Sequence, residues 1–216
     1  MERSEFCRAL FRLQRQALLV GLTGGIAAGK STVAAMLAQQ YPVLEADRIA
    51  KSLYEDSGVV EQLRRHCPAL FYQGKLLSQQ EIARKIFRDP QLRQCVERVL
   101  YPYVFAQLVQ RTQRYVEAQV PVVIHESALL VEAHIAHCYT CIVCVAAPLE
   151  CRKARVPPFL RDTWELRMQA QLPQARKCAS AHYVIYNASS RRQLEQQVRR
   201  LQSWLERQRR RLLIQR

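Results

Sequence analysis

The sequence predicts an α/β protein in which a five-stranded parallel sheet lies between two layers of helices, and three observations support this. Five short apolar segments lie along the chain, helical patterns separate them, and the segments are apolar at nearly every position rather than at alternate ones. Strands buried on both faces of a parallel sheet have this pattern, and alternating strands and helices form βαβ units. A chain of 216 residues accommodates one such domain with a small insertion.

The predicted elements follow in chain order. The strands are predicted over residues 18–22, 42–44, 121–125, 141–147 and 182–186. A helix is predicted over 30–40, directly after the first strand, and the long interval between the second and third strands contains helical patterns at 59–66, 78–87 and 90–118. Insertions at the carboxyl ends of parallel strands lie where open α/β sheets bind ligands, so we expect this interval to shape a substrate site.

The composition is typical of a cytoplasmic protein. No apolar stretch approaches the roughly 20 residues that a membrane-spanning helix needs, and residues 1–16 mix arginine with glutamate, unlike a secretory signal. The eight cysteines lie scattered in apolar segments, and reduced thiols are the simpler interpretation. Cys138, Cys141 and Cys144 have the spacing of metal ligands, but residues three apart on a strand point to opposite faces, so we interpret them as small apolar side chains.

A formal net charge of +15 favours anionic partners, which include phosphorylated metabolites and nucleic acid. Much of the excess follows residue 190, where Leu194, Val198, Leu201 and Leu205 recur at helical spacing. This pattern predicts an amphipathic closing helix whose arginines face solvent. The segment lacks the alternation of basic and aromatic residues that stacks bases, so nucleic acid is the less favoured partner.

Residues 20–34, VGLTGGIAAGKSTVA, have the pattern of a phosphate-binding loop. They match G-x-x-x-x-G-K-[ST] between a predicted strand and a predicted helix, which is the context that the motif requires. Small residues bring backbone N–H groups close to phosphate, and Lys30 is expected to reach the β- and γ-phosphates while Ser31 ligates Mg²⁺. The residues expected to bind the nucleoside triphosphate are Gly24, Gly25, Ile26, Ala27, Ala28, Gly29, Lys30, Ser31 and Thr32.

Two acidic residues follow predicted strands. Asp47 is placed to orient or deprotonate an attacking hydroxyl group, although a helix N-cap is an alternative role for it. Glu126 ends the third strand and is placed to hold the hydration shell of Mg²⁺, unless it is a surface glutamate. His125 beside it is interpreted as a packed or surface histidine.

An arginine-rich segment at residues 148–181 is helical in pattern and is predicted to be a mobile lid. Arginines from a lid neutralise charge that develops on phosphate and exclude water from the reaction. Arg152, Arg155 and Arg161 are the candidates, with Arg152 and Arg155 placed in the catalytic set. A solvated helix face is the alternative for any single one of them.

Several of these segments, taken together, resemble the dephospho-coenzyme A kinase family over roughly residues 18–205. The resemblance rests on the phosphate-binding loop with its double glycine, on VLEADRIAK, on IFRDPQLRQCVERVLYPYV, on ALLVE and on YVIYN. It implies a P-loop core that transfers the γ-phosphoryl group of ATP, with Mg²⁺, to the ribose 3′-hydroxyl of dephospho-coenzyme A. It also implies that Asp47 acts as the base or orienting residue and that Asn187 contacts the nucleotide near the adenine.

The chain departs from the usual family pattern mainly on the acceptor side and in the lid. Tyr101 replaces a histidine, Gln79 an arginine, Glu45 an aspartate and Tyr186 an aspartate, and Pro157 and Pro158 stand in the lid sequence. The nucleotide side keeps its motif. We therefore expect nucleotide binding to be retained, and the departures to bear on the acceptor and on the rate.

The organisation predicted from these observations has three parts. Residues 17–58 and 119–216 form the nucleotide-binding core, which includes the lid at 148–181. Residues 59–118 form an inserted helical subdomain that binds coenzyme A, and residues 1–16 form an extension that leads into the first strand. A monomer or weak homo-oligomer is expected. The alternatives are another P-loop kinase with a nucleoside, nucleotide or sugar-acid acceptor and, in another class, a nucleic-acid-binding nucleotide switch.

Overall fold

A central parallel sheet contains the five predicted strands, in a computed structural model that describes residues 1–214. The strands of this sheet are β1 (Leu18–Gly24), β2 (Val43–Glu45), β5 (Val122–Glu126), β6 (Cys141–Ala146) and β7 (Tyr183–Tyr186). Their spatial order is β2-β5-β1-β6-β7. A short antiparallel hairpin, β3 (Phe71–Tyr72) and β4 (Lys75–Leu76), lies in the predicted insertion and was missed by the sequence analysis, because strands of two residues are too short to show a period.

Apart from the first helix, which was not predicted, the helices occupy the predicted intervals, with small differences at their ends. They are α1 (Arg3–Leu13), α2 (Lys30–Leu37), α3 (Ala46–Ser52), α4 (Ser57–His66), α5 (Gln79–Arg88), α6 (Pro90–Glu117), α7 (Leu149–Ala154), α8 (Trp164–Ala170), α9 (Gln174–Ala179) and α10 (Arg191–Ile214). Within residues 1–214, no helix combines the length and the apolar character needed to cross a bilayer.

The strands differ in burial according to their place in the sheet. Every residue of β1, β5 and β6 is buried, as the continuous apolar pattern predicts. The prediction of burial on both faces is wrong for β7, where Val184 and Tyr186 are exposed. The strand β7 lies at the edge of the sheet, and one of its faces is only partly covered.

Each face of the sheet packs against its own hydrophobic core. Leu18, Val20 and Leu22 of β1 point to one face, where α2 and α10 cover them, and Leu19 points to the other face, toward α1 and α6. The alternation follows from the two-residue period of a strand. The four apolar residues predicted for the closing helix are all buried in α10, and its neighbouring arginines at 199 and 200 are exposed.

Helix α1 is a part of the core that the sequence analysis did not predict. Phe6 and Leu10 have no exposed surface, and the ring of Phe6 stacks on Phe105 of α6 with centroids 4.5 Å apart. The interpretation of all cysteines as reduced thiols is wrong for two of them, because Cys7 of α1 is joined to Cys138 by a disulfide bond. Their sequence separation of 131 residues hides the pairing from any local pattern.

Replacing Phe6 with alanine is expected to lower the free energy of unfolding by about 3–5 kcal/mol, because a fully buried ring is removed and a cavity remains. Phe11 lies on the same helix but is 47% exposed, so Phe11→Ala is the matched control and should cost about 0.5 kcal/mol or less. Urea unfolding of both variants and of the wild type measures the difference. Equal losses in the two variants would contradict the packing of α1 in the core.

His125 is confirmed as a packed histidine. It has no exposed surface, its Nε2 atom lies 2.7 Å from Oγ1 of Thr112, and its Nδ1 atom lies 3.1 Å from the hydroxyl of Tyr139. Burial lowers the pKa of His125 to about 3. The imidazole is therefore neutral at physiological pH and joins α6, β5 and the segment before β6 by hydrogen bonds.

The low pKa of His125 makes stability depend on pH below about 6.5. The unfolded chain binds a proton at His125 with an ordinary pKa near 6.5 and the folded chain does not, so acidification favours unfolding. We expect this residue to account for a loss of about 2 kcal/mol in the free energy of unfolding between pH 7 and pH 5. Urea unfolding at both pH values should show a smaller loss for His125→Gln than for the wild type. An equal loss would refute the assignment.

Candidate active site

The phosphate-binding loop connects β1 to α2 at the carboxyl end of the sheet. Gly29 precedes α2 with φ at 95°, a left-handed conformation that favours glycine, and Ala27 has φ at 56°. Gly25 lies against the guanidinium group of Arg152 and Oε1 of Gln174. A Cβ atom at position 25 would lie only 3.1 Å from Cζ of Arg152 and 2.9 Å from Oε1 of Gln174, so a side chain there would crowd both groups. The loop is therefore held in shape by its own backbone and by residues that lie far along the chain.

Lys30 and Glu126 form an ion pair beneath this loop. The pair joins the first residue of α2 to the last residue of β5, and both side chains are largely buried, with 12% and 5% of their surface exposed. Burial lowers the pKa of Lys30, while the charge of Asp47 opposes that shift. The pair places an ammonium group and a carboxylate where the motif predicts the triphosphate and its metal ion.

Asp47 lies in the first turn of α3, at the carboxyl end of β2. The N-cap position belongs to Glu45, so the alternative role of Asp47 as the helix N-cap is not what the structure shows. Its side chain is exposed. Burial lowers the pKa of Lys30 and of Arg167, and the charge of Asp47 opposes both shifts. Burial raises the pKa of Tyr101, and the charge of Asp47 adds to that shift. Asp47 therefore lies near one residue each of α2, α6 and α8.

Two of the three candidate lid arginines contact the core near the loop. Arg152 is 5% exposed, its Nε donates to the carbonyl of Ile26 at 2.8 Å, and its guanidinium group lies over the ring of Trp164. Arg155 donates to the carbonyl of Asn187 at 2.9 Å. Arg161 is exposed in the turn that precedes α8. Arg152 thus joins the phosphate-binding loop to the lid segment.

Asn187 lies against the back of the same loop. Its Nδ2 atom donates to the carbonyl of Ala28 at 2.9 Å, and a Cβ atom at Gly29 would collide with it. The residue follows β7, so its side chain reaches the loop across the carboxyl edge of the sheet. Asn187 and the glycine at position 29 therefore depend on each other.

The structure also brings to the site residues that sequence reasoning missed. Arg167 of α8 lies over the ring of Phe87 at 4.1 Å, and Asp47 lies close enough to affect its pKa. Lys177 of α9 has no exposed surface and forms an ion pair of 2.9 Å with Glu132. Arg167 and Lys177 lie in the segment 148–181, which contains many arginines and lysines. The sequence alone does not distinguish the buried basic residues of this segment from those that face solvent.

Lys177 holds the lid segment to the loop that follows β5. Its Nζ atom donates to the carbonyl of Ala128 at 2.6 Å and to Oε1 of Gln171 at 3.0 Å. Oε1 of Glu132 also accepts from the backbone N–H of Leu172 at 2.9 Å. The start of α9 and the two residues 171 and 172 before it are therefore anchored to the loop that follows β5.

Two of the acceptor-side departures from the family pattern, Tyr101 and Gln79, lie on helices of the insertion. Tyr101 lies on α6, and its pKa is raised by burial and then by the charges of Glu97, Glu132 and Asp47. Gln79 donates to the carbonyl of Lys51 at 3.4 Å, which joins α5 to α3. A neutral phenol and an amide thus stand where the family usually has basic side chains.

The parallel sheet, the phosphate-binding loop and the paired Lys30 and Glu126 define the class of P-loop kinases. The chain belongs to the dephospho-CoA kinase family, whose model, described as Dephospho-CoA kinase, matches residues 18–193. The dephospho-CoA kinase of Chlorobaculum tepidum is 37% identical over 193 residues, which cover 85% of this chain and 93% of the relative. That of Thermus thermophilus is 34% identical and covers 84% and 89%.

Solved structures agree with this membership. A crystal structure of a Thermus thermophilus protein matches with a TM-score of 0.72 at 33% identity and covers 88% of this chain and 98% of that one. The dephospho-CoA kinase of Campylobacter jejuni matches with a TM-score of 0.55 at 15% identity, over the same shares, and supports the fold alone. Nothing in these comparisons favours another acceptor or a nucleic-acid switch.

Proposed function

We propose that this protein uses ATP to phosphorylate the ribose 3′-hydroxyl of dephospho-coenzyme A, which yields coenzyme A and ADP. Family membership supports the reaction, and one observation of the structure carries it. Lys30 at the start of α2 and Glu126 at the end of β5 form an ion pair, and Asp47, just after β2, lies close enough to affect the pKa of Lys30. A lysine proposed to bind phosphate and an exposed carboxylate thus lie near one another at the carboxyl edge of the sheet.

The loop is proposed to bind the triphosphate through backbone N–H groups and through Lys30. The ammonium group of Lys30 has a carboxylate partner in the structure, and we propose that it turns to the β- and γ-phosphates when ATP binds. Its charge then stabilises the negative charge that develops during phosphoryl transfer. Arg152 and Arg155 are proposed to add positive charge from the lid side, and Asn187 to support the loop near the nucleotide.

A magnesium ion fits the donor atoms of this site. Ser31 offers a hydroxyl at the start of α2 and Glu126 a carboxylate, and Mg²⁺ prefers a few such oxygen ligands, with water and phosphate completing its shell. We propose that these two residues hold the ion, directly or through its water. When bound, the ion neutralises phosphate charge.

Asp47 is proposed to receive or orient the proton of the attacking hydroxyl group. Its carboxylate is exposed, so the hydroxyl group of an acceptor can reach it, as a general base requires. Arg167 lies on the same side and is proposed to keep Asp47 in place while the lid is closed. The proton leaves the hydroxyl as its oxygen bonds to the γ-phosphorus, and the bond from the γ-phosphorus to the β–γ bridging oxygen breaks and releases ADP.

The predicted organisation completes the proposal. Residues 59–118 are proposed to bind the coenzyme A portion of the acceptor, since α6 carries Tyr101 to the side of Asp47. The residues proposed for the site all lie in this chain, and both proposed substrates are small metabolites. We therefore propose that the protein acts in the cytoplasm as a monomer or weak homo-oligomer, with nucleic acid as no part of its function.

A coupled ADP-release assay with ATP and Mg²⁺ tests the function. Dephospho-coenzyme A should be compared with adenosine, AMP, shikimate and gluconate, and the product mass should be determined. We expect ADP release with dephospho-coenzyme A alone, together with one phosphate added at the ribose. Faster release with another acceptor, or no release with any acceptor while ATP still binds, would overturn the proposal.

A further inference from the structure

Two cysteines of the insertion lie almost within bonding distance. The Sγ atoms of Cys67 and Cys95 are 2.6 Å apart, compared with about 2.05 Å in a disulfide bond. Cys67 follows the last residue of α4, and Cys95 lies in the second turn of α6. The two cysteines are 28 positions apart in the sequence, with the hairpin and α5 between them. Only the tertiary structure therefore brings the two thiols together.

The backbone on both sides of this pair is well held. The N–H group of Cys67 donates to the carbonyl of Leu63 at 2.8 Å, and the thiol of Cys95 donates to the carbonyl of His66 at 3.0 Å. Cys67 is packed in the core that α4 and α6 share. The two sulfur atoms therefore meet because their helices pack, and little movement is needed to join them.

The two thiols differ in their access to solvent. Cys95 is partly exposed and can meet a small molecule from solvent, while Cys67 is 2% exposed. Burial first, and then the hydrogen bond to Cys95, raise the pKa of Cys67 to about 12. An external disulfide would therefore react with Cys95 first, and Cys67 would react only with a sulfur that is already beside it.

We propose that Cys67 and Cys95 form a reversible redox modification site, which closes to a disulfide by exchange with a low-molecular-weight disulfide such as oxidised glutathione. The thiolate of Cys95 attacks one sulfur of oxidised glutathione and releases one glutathione thiolate. Cys67 then gives up its proton and attacks the sulfur of Cys95, which releases the second glutathione. The two protein thiols are oxidised, one glutathione disulfide is reduced, and the two protons pass to the glutathione thiolates.

Closure would join the end of α4 covalently to the start of α6. Tyr101 lies further along α6, near Asp47, so the modification lies on the helix proposed to bind the acceptor. A cross-link restricts the unfolded chain over this interval. We therefore expect the closed form to melt at a temperature higher than the reduced form by about 5 °C or more.

The experiment uses the full chain, fully reduced and then equilibrated at graded ratios of reduced to oxidised glutathione. Free thiols are alkylated, and peptides are mapped by mass spectrometry before and after reduction. We expect a peptide pair joined through Cys67 and Cys95, lighter by two hydrogen atoms, that dithiothreitol separates again. Cys151→Ser is the matched control, because Cys151 is also partly buried and its Sγ contacts a backbone carbonyl instead of a thiol. It should form the cross-link as the wild type does.

Two variants test the order of the steps. Cys67→Ala should accumulate a stable glutathione adduct on Cys95, and Cys95→Ser should leave Cys67 unmodified because it is buried. Repeating the mapping in Cys7→Ser separates this pair from the existing disulfide and should retain the cross-link. The proposal is overturned if wild-type Cys67 and Cys95 stay open to alkylation after equilibration with oxidised glutathione, or if Cys67 takes up glutathione as readily as Cys95. These readouts do not depend on kinase activity, so failure of the proposed function leaves them unaffected.

Discussion

Lys30→Ala is expected to lower kcat by about 10²–10³-fold or more. Removing a single charge-stabilising donor from the transition state of a group transfer has an effect of this order. The side chain of Lys30 is largely buried, its partner Glu126 occupies the end of β5, and the phosphate-binding loop ends directly before it. The variant also leaves the buried carboxylate of Glu126 without its ion-pair partner, which is expected to destabilise this part of the protein.

Steady-state kinetics with saturating ATP measures the loss. Arg199→Ala is the matched control, because Arg199 is an exposed basic residue of α10, outside the proposed nucleotide and acceptor sites, and should retain wild-type kcat. Circular dichroism and a melting curve separate lost catalysis from lost folding. Wild-type turnover in folded Lys30→Ala would refute the assignment of the loop as the site of phosphoryl transfer.

Asp47→Asn is expected to lower kcat by about 10²–10⁴-fold while ATP affinity stays near that of the wild type. The amide has nearly the same shape but cannot accept the proton of the attacking hydroxyl, and general bases contribute rates of this order. Asp47 is exposed and lies in the first turn of α3, where it makes no N-cap, so the substitution leaves the helix intact. The loss should therefore appear in kcat rather than in stability.

The control for this variant is Asp162→Asn. Asp162 is another exposed aspartate, and it is paired only loosely with Arg84, at 3.8 Å. Nucleotide affinity by titration and kcat by ADP release distinguish the two roles of Asp47. If ATP affinity collapses while kcat holds, Asp47 is a structural residue and another group receives the proton.

Much of the fold follows from local pattern. All five strands of the parallel sheet and most of the helices lie where the period of the apolar residues predicts them, because burial on both faces or along one stripe leaves a direct mark on the sequence. The sequence pattern did not predict the hairpin or α1, and the reasons differ. The hairpin strands are too short to show a period, and α1 was interpreted as an extension because it precedes the first strand and carries arginines.

The candidate site divides in the same way. The loop residues and Lys30 are found from a motif of eight positions, since phosphate binding requires small residues and a lysine at fixed spacing. Arg167 and Lys177 were missed, because they lie among many basic residues and differ from them only in what covers them. The roles proposed for Asp47, Glu126, Arg152 and Arg155 remain predictions until the variants are measured.

The sequence by itself determined the parallel sheet, the phosphate-binding loop and the family, because each depends on residues that are close together along the chain. Only the tertiary structure decided which distant side chains meet. It joined Cys7 to Cys138, brought Cys67 beside Cys95 and buried Lys177 against Glu132. Such contacts depend on how helices pack across many intervening residues, and packing is a property of shape and burial that leaves no period or spacing in the sequence.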